Sequence, residues 1–310
     1  MKKFFFMLAL TLTTVCANSQ DKSQSIALCP VVQDLAEPFP ASARVQLEHK
    51  INGLLTTNGV VSQDYLGQFF ITATATPLTK EILGTAPTQI AETMELTFYI
   101  ADYYNQIVFS TATISAKGVG TTEAKAYMDA LKHINIQSNT MRQFVDEGKT
   151  KIVAYYDEQA PILLKKAVTL AEQKQYEEAM FICSTIPAEC KFFDDAIAKG
   201  MEFFHLYYNF ECQKNLNLAK MAWAAEQNSN GAVVAGNYLA QIYPDASCYD
   251  DAEKLYQEIK SKVLDDWNFE MKKYQDGVDL EGLRINAWRE VGVAYGKGQQ
   301  PTTTNLAWLR

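Results

Sequence analysis

Apolar residues recur along this chain in two rhythms, one of mixed period in the first half and one of helical period in the second. From residue 42 a helical spacing places Leu47, Ile51, Leu54 and Leu55 on one face, and Asn58-Gly59 ends it. A period of two follows. Phe69, Ile71 and Ala73 alternate with Phe70, Thr72 and Thr74, a run that Pro77 is expected to close. Met94, Leu96, Phe98 and Ile100 alternate with Glu95, Thr97 and Tyr99; residues 102–105 supply a turn, and 106–116 return as the second strand of a hairpin. Lys117-Gly118-Val119-Gly120-Thr121-Thr122-Glu123 then leads into a helix carrying Ala124, Met128 and Leu131 on one face. The glycines are expected to turn the backbone tightly, Thr121 or Thr122 to cap, and Glu123 to suit the positive helix end. The polar stretch 135–140 reads as a boundary, after which Phe144, Ile152 and Tyr155 or Tyr156 mark a helix entering the second half.

That second half contains a duplication. Ala171-Glu172-Gln173, Pro187, Cys190 and Asp194-Asp195-Ala196 recur as Ala225-Glu226-Gln227, Pro244, Cys248 and Asp250-Asp251-Ala252. Recurring markers in one order imply stacked units of supersecondary structure. Each copy reads as three helices, 162–174, 176–186 and 192–210 in the first and 216–227, 232–242 and 249–274 in the second. The spacing of Leu163, Ala167, Leu170, Tyr176 and Ala179 resembles a tetratricopeptide hairpin, although Lys166, the early Pro187 and the long period depart from that pattern. The resemblance implies a helical-repeat scaffold that presents a surface to other polypeptides.

The first half carries a resemblance of its own. A helix, a strand, a hairpin, then Gly118-Val119-Gly120 followed by Glu123-Ala124, Ala126 and Ala130 resembles the small α/β module of envelope proteins. Examples are the LPP20-type lipoproteins, the flagellar T-ring protein, the penicillin-binding-protein activator lipoproteins and the amino-terminal domain of TolB. It spans about residues 42–134 and implies a role in envelope assembly without catalytic residues. The expected fold class is therefore α+β: a small α/β sandwich with an antiparallel sheet and helices, then an all-α tetratricopeptide-like domain. The corresponding bounds are 1–17 signal peptide, 18–40 leader, 41–136 α/β domain, 141–295 helical domain and 296–310 tail.

The signal peptide rests on Lys2 and Lys3, an apolar run over residues 4–12, and Val15 and Ala17 before a cleavage point. Val15 and Thr13 do not suit a lipoprotein site, so lipid anchoring through Cys16 is not expected. The apolar run is too short to span a bilayer, which leaves an extracytoplasmic protein, periplasmic or secreted and at most peripheral to a membrane. Loss of Lys2 and Lys3 takes the formal net charge from −8 to −10, a balance that disfavours nucleic acid.

An oxidising compartment gives the cysteines a role. Cys190 and Cys212 flank one expected helix of about 20 residues, whose ends lie roughly 30 Å apart, too far to pair. Cys212 precedes the second copy's first helix and Cys248 follows its second, so an antiparallel hairpin brings them together as a disulfide. Cys183 reads as a buried thiol; Cys29 and Cys190 pair if the leader crosses the helical half, or remain thiols.

Catalytic chemistry finds little footing. The glycine pair lacks the endings of phosphate or dinucleotide loops, and no Gly-x-Ser-x-Gly, His-Glu-x-x-His or Cys/His metal spacing occurs. No cofactor is expected. Asp194-Asp195 and Asp250-Asp251 stand at expected helix starts, where negative charge opposes the helix dipole; Asp265-Asp266 is a third such pair. The run from Phe203 to Phe210 is apolar all round, which suits a buried central helix or, in a sharper reading, an aromatic groove. Near the end Leu283, Ala287 and Val291 share a face beside Trp288, and Trp308 and Leu309 either dock back or anchor a partner. The candidate binding surface is Phe204, Tyr207, Tyr208, Trp223 and Trp308. The reading that results is a non-enzymatic envelope adaptor or assembly factor whose partner is another envelope polypeptide. A soluble glycan or small-molecule binding protein is the alternative, and a hydrolase stands third.

Overall fold

A computed structural model describes residues 26–33, 39–60, 68–263, 271, 280–299, 306 and 309. The signal segment with Cys16, the Asp265-Asp266 pair, Trp308 and the side chain of Leu283 lie outside the described residues. The fold is α+β. Four strands, β1 (Cys29–Pro30), β2 (Phe69–Leu83), β3 (Gln89–Asp102) and β4 (Ile107–Gly120), pair in the order β1-β2-β3-β4. The first pair is parallel and the others antiparallel, so the sheet is mixed rather than purely antiparallel. Residues 29 and 30 thus belong to the fold, and Ile26, Leu28, Val32 and Phe39 around them are buried.

Pro77 does not close β2. Only Phe70 and Ile71 of this strand pair with β1, so beyond them β2 is a sheet edge, where a residue without an N–H costs no ladder bond. A register shift between Pro77 and Thr79 takes up the irregularity. At the other end of the hairpin Asp102 Oδ1 accepts the amides of Tyr104 at 2.8 Å and Asn105 at 2.9 Å, which forms the expected turn.

Helices α1 (Ala41–Thr57), α2 (Glu123–Lys132) and the first half of α3 (Asn139–Glu172) close over Ile71, Met94, Leu96, Phe98 and Ile100. Helix α1 buries Ala43, Leu47, Ile51, Leu54 and Leu55, the face its spacing predicts. Helix α2 is rotated from expectation: Ala126, Tyr127, Ala130 and Leu131 are buried while Ala124 is exposed. The cause is the glycine pair, which lies within β4 rather than in a turn. A Cβ on Gly118 would stand 2.1 Å from the Ala126 carbonyl oxygen, and one on Gly120 2.5 Å from the Ala126 nitrogen. The glycines let helix and strand backbones meet, and the small residues Ala126 and Ala130 face them. Thr122 caps the helix, accepting from the Lys125 amide at 3.3 Å, and Glu123 pairs with Lys80 at 2.6 Å.

Of the polar residues 135–140, Asn139 and Thr140 already belong to α3, which Ser138 caps by accepting the Met141 amide at 3.3 Å. This helix runs unbroken for 34 residues, through Pro161, which removes one bond to the carbonyl of Asp157. Its first half meets the sheet through Phe144 on Phe98, at 6.3 Å between ring centroids, and Gly148 on Ile100. Its second half meets α4 (Tyr176–Ser184).

The helical half continues with α5 (Phe193–Ala225), α6 (Ser229–Leu239), α7 (Tyr249–Val263) and α8 (Leu280–Gly298). Here the expected third helix of the first copy and first helix of the second are one, because residues 210–216 contain neither glycine nor proline to part them. Long and short helices therefore alternate. The turns between short and long helices repeat at a register of 56. Cys190 N bonds to Pro187 O at 3.1 Å as Ala246 N does to Tyr243 O at 3.1 Å, and Ala196 N bonds to Phe192 O as Ala252 N does to Cys248 O, both at 3.0 Å. The acidic pairs correspond, but Cys190 stands opposite Ala246, and Cys248 opposite Phe192. Each turn is tied to the long helix before it: Asp157 Oδ1 accepts the Lys191 amide and Asn209 Oδ1 the Ser247 amide, each at 2.7 Å.

The disulfide joins Cys212 in α5 to Cys248 at the start of α7, with 6.1 Å between Cα atoms and a sequence separation of 36. Loop-closure reasoning assigns it about 3 to 4 kcal/mol. Cys29, Cys183 and Cys190 are buried thiols. Helix α8 buries Trp288, for whose indole ring Gly200 on α5 leaves room, and packs the half-buried Ala287 and Val291 of the expected face against the core. Beyond it Leu306 and Leu309 dock back, packing with Phe70, Ala101 and Cys29 in a second, smaller core.

Beside α2 lies a buried charge. Glu92, 1% exposed, is paired across the strands with Lys80, yet its Oε1 has no hydrogen-bond partner. Burial, reinforced by the charge of Glu123, raises its carboxyl above the ordinary range, and the Tyr127 phenol beside it is pushed up to about 12, by burial first and then by Glu92. As pH rises the unfolded carboxyl sheds its proton first, so this group favours the folded state only in acid. Glu92→Gln is expected to raise Tm at pH 7 by about 2 °C or more, with the gain vanishing near pH 4, as a pair of thermal melts measures. Gly118→Ala is expected to cost about 2 to 3 kcal/mol in urea unfolding, against under about 0.5 kcal/mol for Gly84→Ala, where a Cβ would touch nothing within 4 Å.

Candidate functional site

The aromatic residues expected to form one surface are separated by the fold. Phe204, Tyr208 and Trp223 are buried at 7%, 6% and 3% exposure, so they are core rather than binding surface. Their polar atoms have structural partners. Trp223 Nε1 donates to Glu258 Oε1 at 3.2 Å, and the Tyr208 hydroxyl meets His205 Nδ1 and, at 3.5 Å, Asp245 Oδ2, which also pairs with Arg284. Burial of these three follows from the direction of α5, whose one face packs on α4 and α6. The opposite face is open, with Leu206 at 43% and Phe210 at 41% exposure, so the helix is not buried all round. Of the expected set, Tyr207 lines a cavity, and Trp308 lies outside the described residues.

That cavity is a groove of about 370 Å³. Its walls come from four elements. The turn after α3 gives Lys174 and Gln175, the start of α4 gives Tyr176, Glu177 and Glu178, α5 gives Tyr207, Phe210, Glu211 and Lys214, and α8 gives Tyr295. The turn is held by Lys174 in a left-handed conformation, φ 64°, with the Gln175 amide on the Leu170 carbonyl at 2.9 Å. The α4 start is thereby presented beside α5, and Tyr176 lies against Phe210 at 5.9 Å between ring centroids.

The electrostatics of the groove are asymmetric. Both carboxylate oxygens of Glu211 hold Lys214 Nζ at 3.0 Å, and Lys174 Nζ lies 5.9 Å from the centroid of Phe210. Glu178 stands beside the Tyr295 hydroxyl. The phenols of Tyr207 and Tyr295 are both raised, by burial first, then by Glu177 and Glu211 around Tyr207 and by Glu178 and Glu177 around Tyr295. Three carboxylates thus stand among four aromatic rings and two ammonium groups. The arrangement offers ring faces for stacking and carboxylates for charge.

Elsewhere the titratable groups serve the fold. Tyr156 donates to Asp102 beneath the β3–β4 turn, and Gln68 and Asn105 complete the network; burial first, then Asp102, raises the Tyr156 phenol. Burial likewise pushes the thiols of Cys183 and Cys190 up to about 12, which keeps them protonated and unreactive. The pairs Asp194-Asp195 and Asp250-Asp251 lie in the first turns of α5 and α7, where they oppose the helix dipole. Of the groove residues, Lys174, Gln175, Glu178, Glu211, Lys214 and Tyr295 carry no signal in the sequence beyond their helical spacing.

No protein-family model and no curated protein matches the chain. Solved structures with some likeness include a minor lipoprotein from Acinetobacter baumannii, 19% identical over 40% of this chain and 87% of that one, at a TM-score of 0.22. A protein from Caulobacter crescentus described as a lipoprotein is 10% identical over 40% of this chain and 82% of that one, also at 0.22. The PelC dodecamer from Paraburkholderia phytofirmans is 13% identical over 41% of this chain and 93% of that one, at 0.25. At TM-scores this low the likeness assigns the chain to no family.

Proposed function

We propose that this protein is a non-enzymatic extracytoplasmic adaptor, of the kind that serves envelope assembly, and that it holds a partner polypeptide in the groove between α4, α5 and α8. The observation that carries the reading is the groove itself: Tyr176, Tyr207, Phe210 and Tyr295 meet there from three helices, on a repeat scaffold that buries Phe203, Phe204, Tyr208 and Trp223 in its core. Aromatic rings on rigid helices bind side chains at small entropic cost. The location is supported by the signal-like start of the sequence and by the Cys212–Cys248 disulfide, which persists in an oxidising compartment. Among the described residues no helix is long and apolar enough to cross a membrane. The tetratricopeptide and envelope-module resemblances point the same way.

A second reading, a binding protein for a glycan or small molecule, is favoured by the groove's volume, which lies within the range of small-ligand sites. Photo-crosslinking separates the two. With a benzophenone amino acid in place of Phe210, the adaptor reading expects one polypeptide captured in cells, absent when the same group replaces Thr113 on the open sheet face and lost with Tyr207→Ala. Capture of no polypeptide at position 210, together with a rise in Tm on adding a sugar or metabolite, overturns the adaptor in favour of the second reading.

A further inference from the structure

The charges around the groove say more about its occupant than its shape does. Lys214 is engaged by both oxygens of Glu211 and Lys174 Nζ lies over Phe210, so the lining sets three carboxylates against two ammonium groups, one of them already paired. Glu177 and Glu178 stand at the start of α4, the first near Tyr207 of α5 and the second near Tyr295 of α8. The phenols of Tyr207 and Tyr295 register that negative field from two walls. Phe210 is 41% exposed and already carries an ammonium 5.9 Å from its centroid, which shows that a cation can reach this ring's face. Carboxylates set among aromatic faces recognise a planar guanidinium or an alkylammonium, by stacking on the ring and by charge-assisted hydrogen bonds to the acid. The chain's net charge of −8 acts at longer range in the same sense.

Resting on the adaptor reading, we infer that the groove receives a basic side chain, arginine or lysine, projecting from the partner polypeptide. The carboxylates of Glu177 and Glu178 take its charge, and Tyr176, Tyr207, Phe210 and Tyr295 enclose its stem. The volume of about 370 Å³ holds one such side chain and its neighbouring backbone, not a folded surface.

Fluorescence anisotropy on the full chain tests this with four labelled octapeptides of Gly and Ser that differ only at the centre: arginine, lysine, citrulline or glutamate. The arginine and lysine peptides are expected to bind at least about tenfold more tightly than the citrulline peptide, with the preference falling as salt is raised. Glu177→Gln combined with Glu178→Gln is expected to abolish the preference, and Phe210→Ala to weaken all binding; Glu177 and Phe210 are exposed and Glu178 is half-buried, and unchanged circular dichroism confirms the fold. Equal binding of citrulline and arginine peptides, lost with Phe210→Ala, overturns the basic side chain but leaves the adaptor standing. Binding of no peptide, alongside a crosslinked polypeptide at position 210, does the same. Arginine amide binding as tightly as the arginine peptide overturns both, since the backbone then contributes nothing.

Discussion

Helix α3 has to satisfy two surfaces at once, and the rest of the molecule is placed by how it does so. Thirty-four residues span roughly 51 Å at 1.5 Å per residue, enough to cross the sheet and reach the first helical hairpin without a break. Phe144, Val145, Ile152 and Tyr156 belong to the sheet's core, while Ala167, Leu170 and Ala171 belong to the hairpin's. The helix leaves no flexible joint between the halves. Further ties reinforce it. The Ile26 amide donates to Glu189 at 2.8 Å, Tyr104 at the hairpin turn lies 5.0 Å from Phe181 of α4 between ring centroids, and Leu306 and Leu309 return to the sheet.

The duplicated half uses the same device twice. The long helix α5 ends the first unit and begins the second, so the two join without an extra connection. Glu189 and Asp245 occupy the same place at the register of 56, yet the first holds the chain before the sheet and the second holds Tyr208 and Arg284. The disulfide strengthens only the second unit, because Cys248 stands where the first has Phe192. The groove forms where the first unit's hairpin is open and α8 closes one side. Its aromatic rings therefore depend on long-range placement, with Tyr295 brought from the end of the chain to Tyr176 and Phe210.

Local pattern made the helices and the hairpin legible. Helix α1, the β3–β4 hairpin and the Asp102 turn follow from spacing over a few residues, and the Cys212–Cys248 bond follows from the ends of an antiparallel hairpin. What was hidden depends on distant contact. Gly118 and Gly120 look like turn residues until Ala126 and Ala130 are set against them. Pro77 looks like a strand end until β2 is known to be an edge. The Phe203–Phe210 run reads as apolar all round because sequence does not tell which side other helices take, and so Phe204 and Tyr208 passed for surface. The markers Pro187 and Pro244, or Cys190 and Cys248, suggested a register one or two residues away from that of the hydrogen bonds.

If α3 and its flanking ties make the sheet and the helical hairpins one folding unit, the two halves unfold together. Scanning calorimetry of the oxidised full chain addresses this directly. A single transition is expected, with a calorimetric enthalpy equal to its van't Hoff enthalpy. Two resolved transitions, or a van't Hoff enthalpy near half the calorimetric value, would show that the halves unfold independently and contradict it.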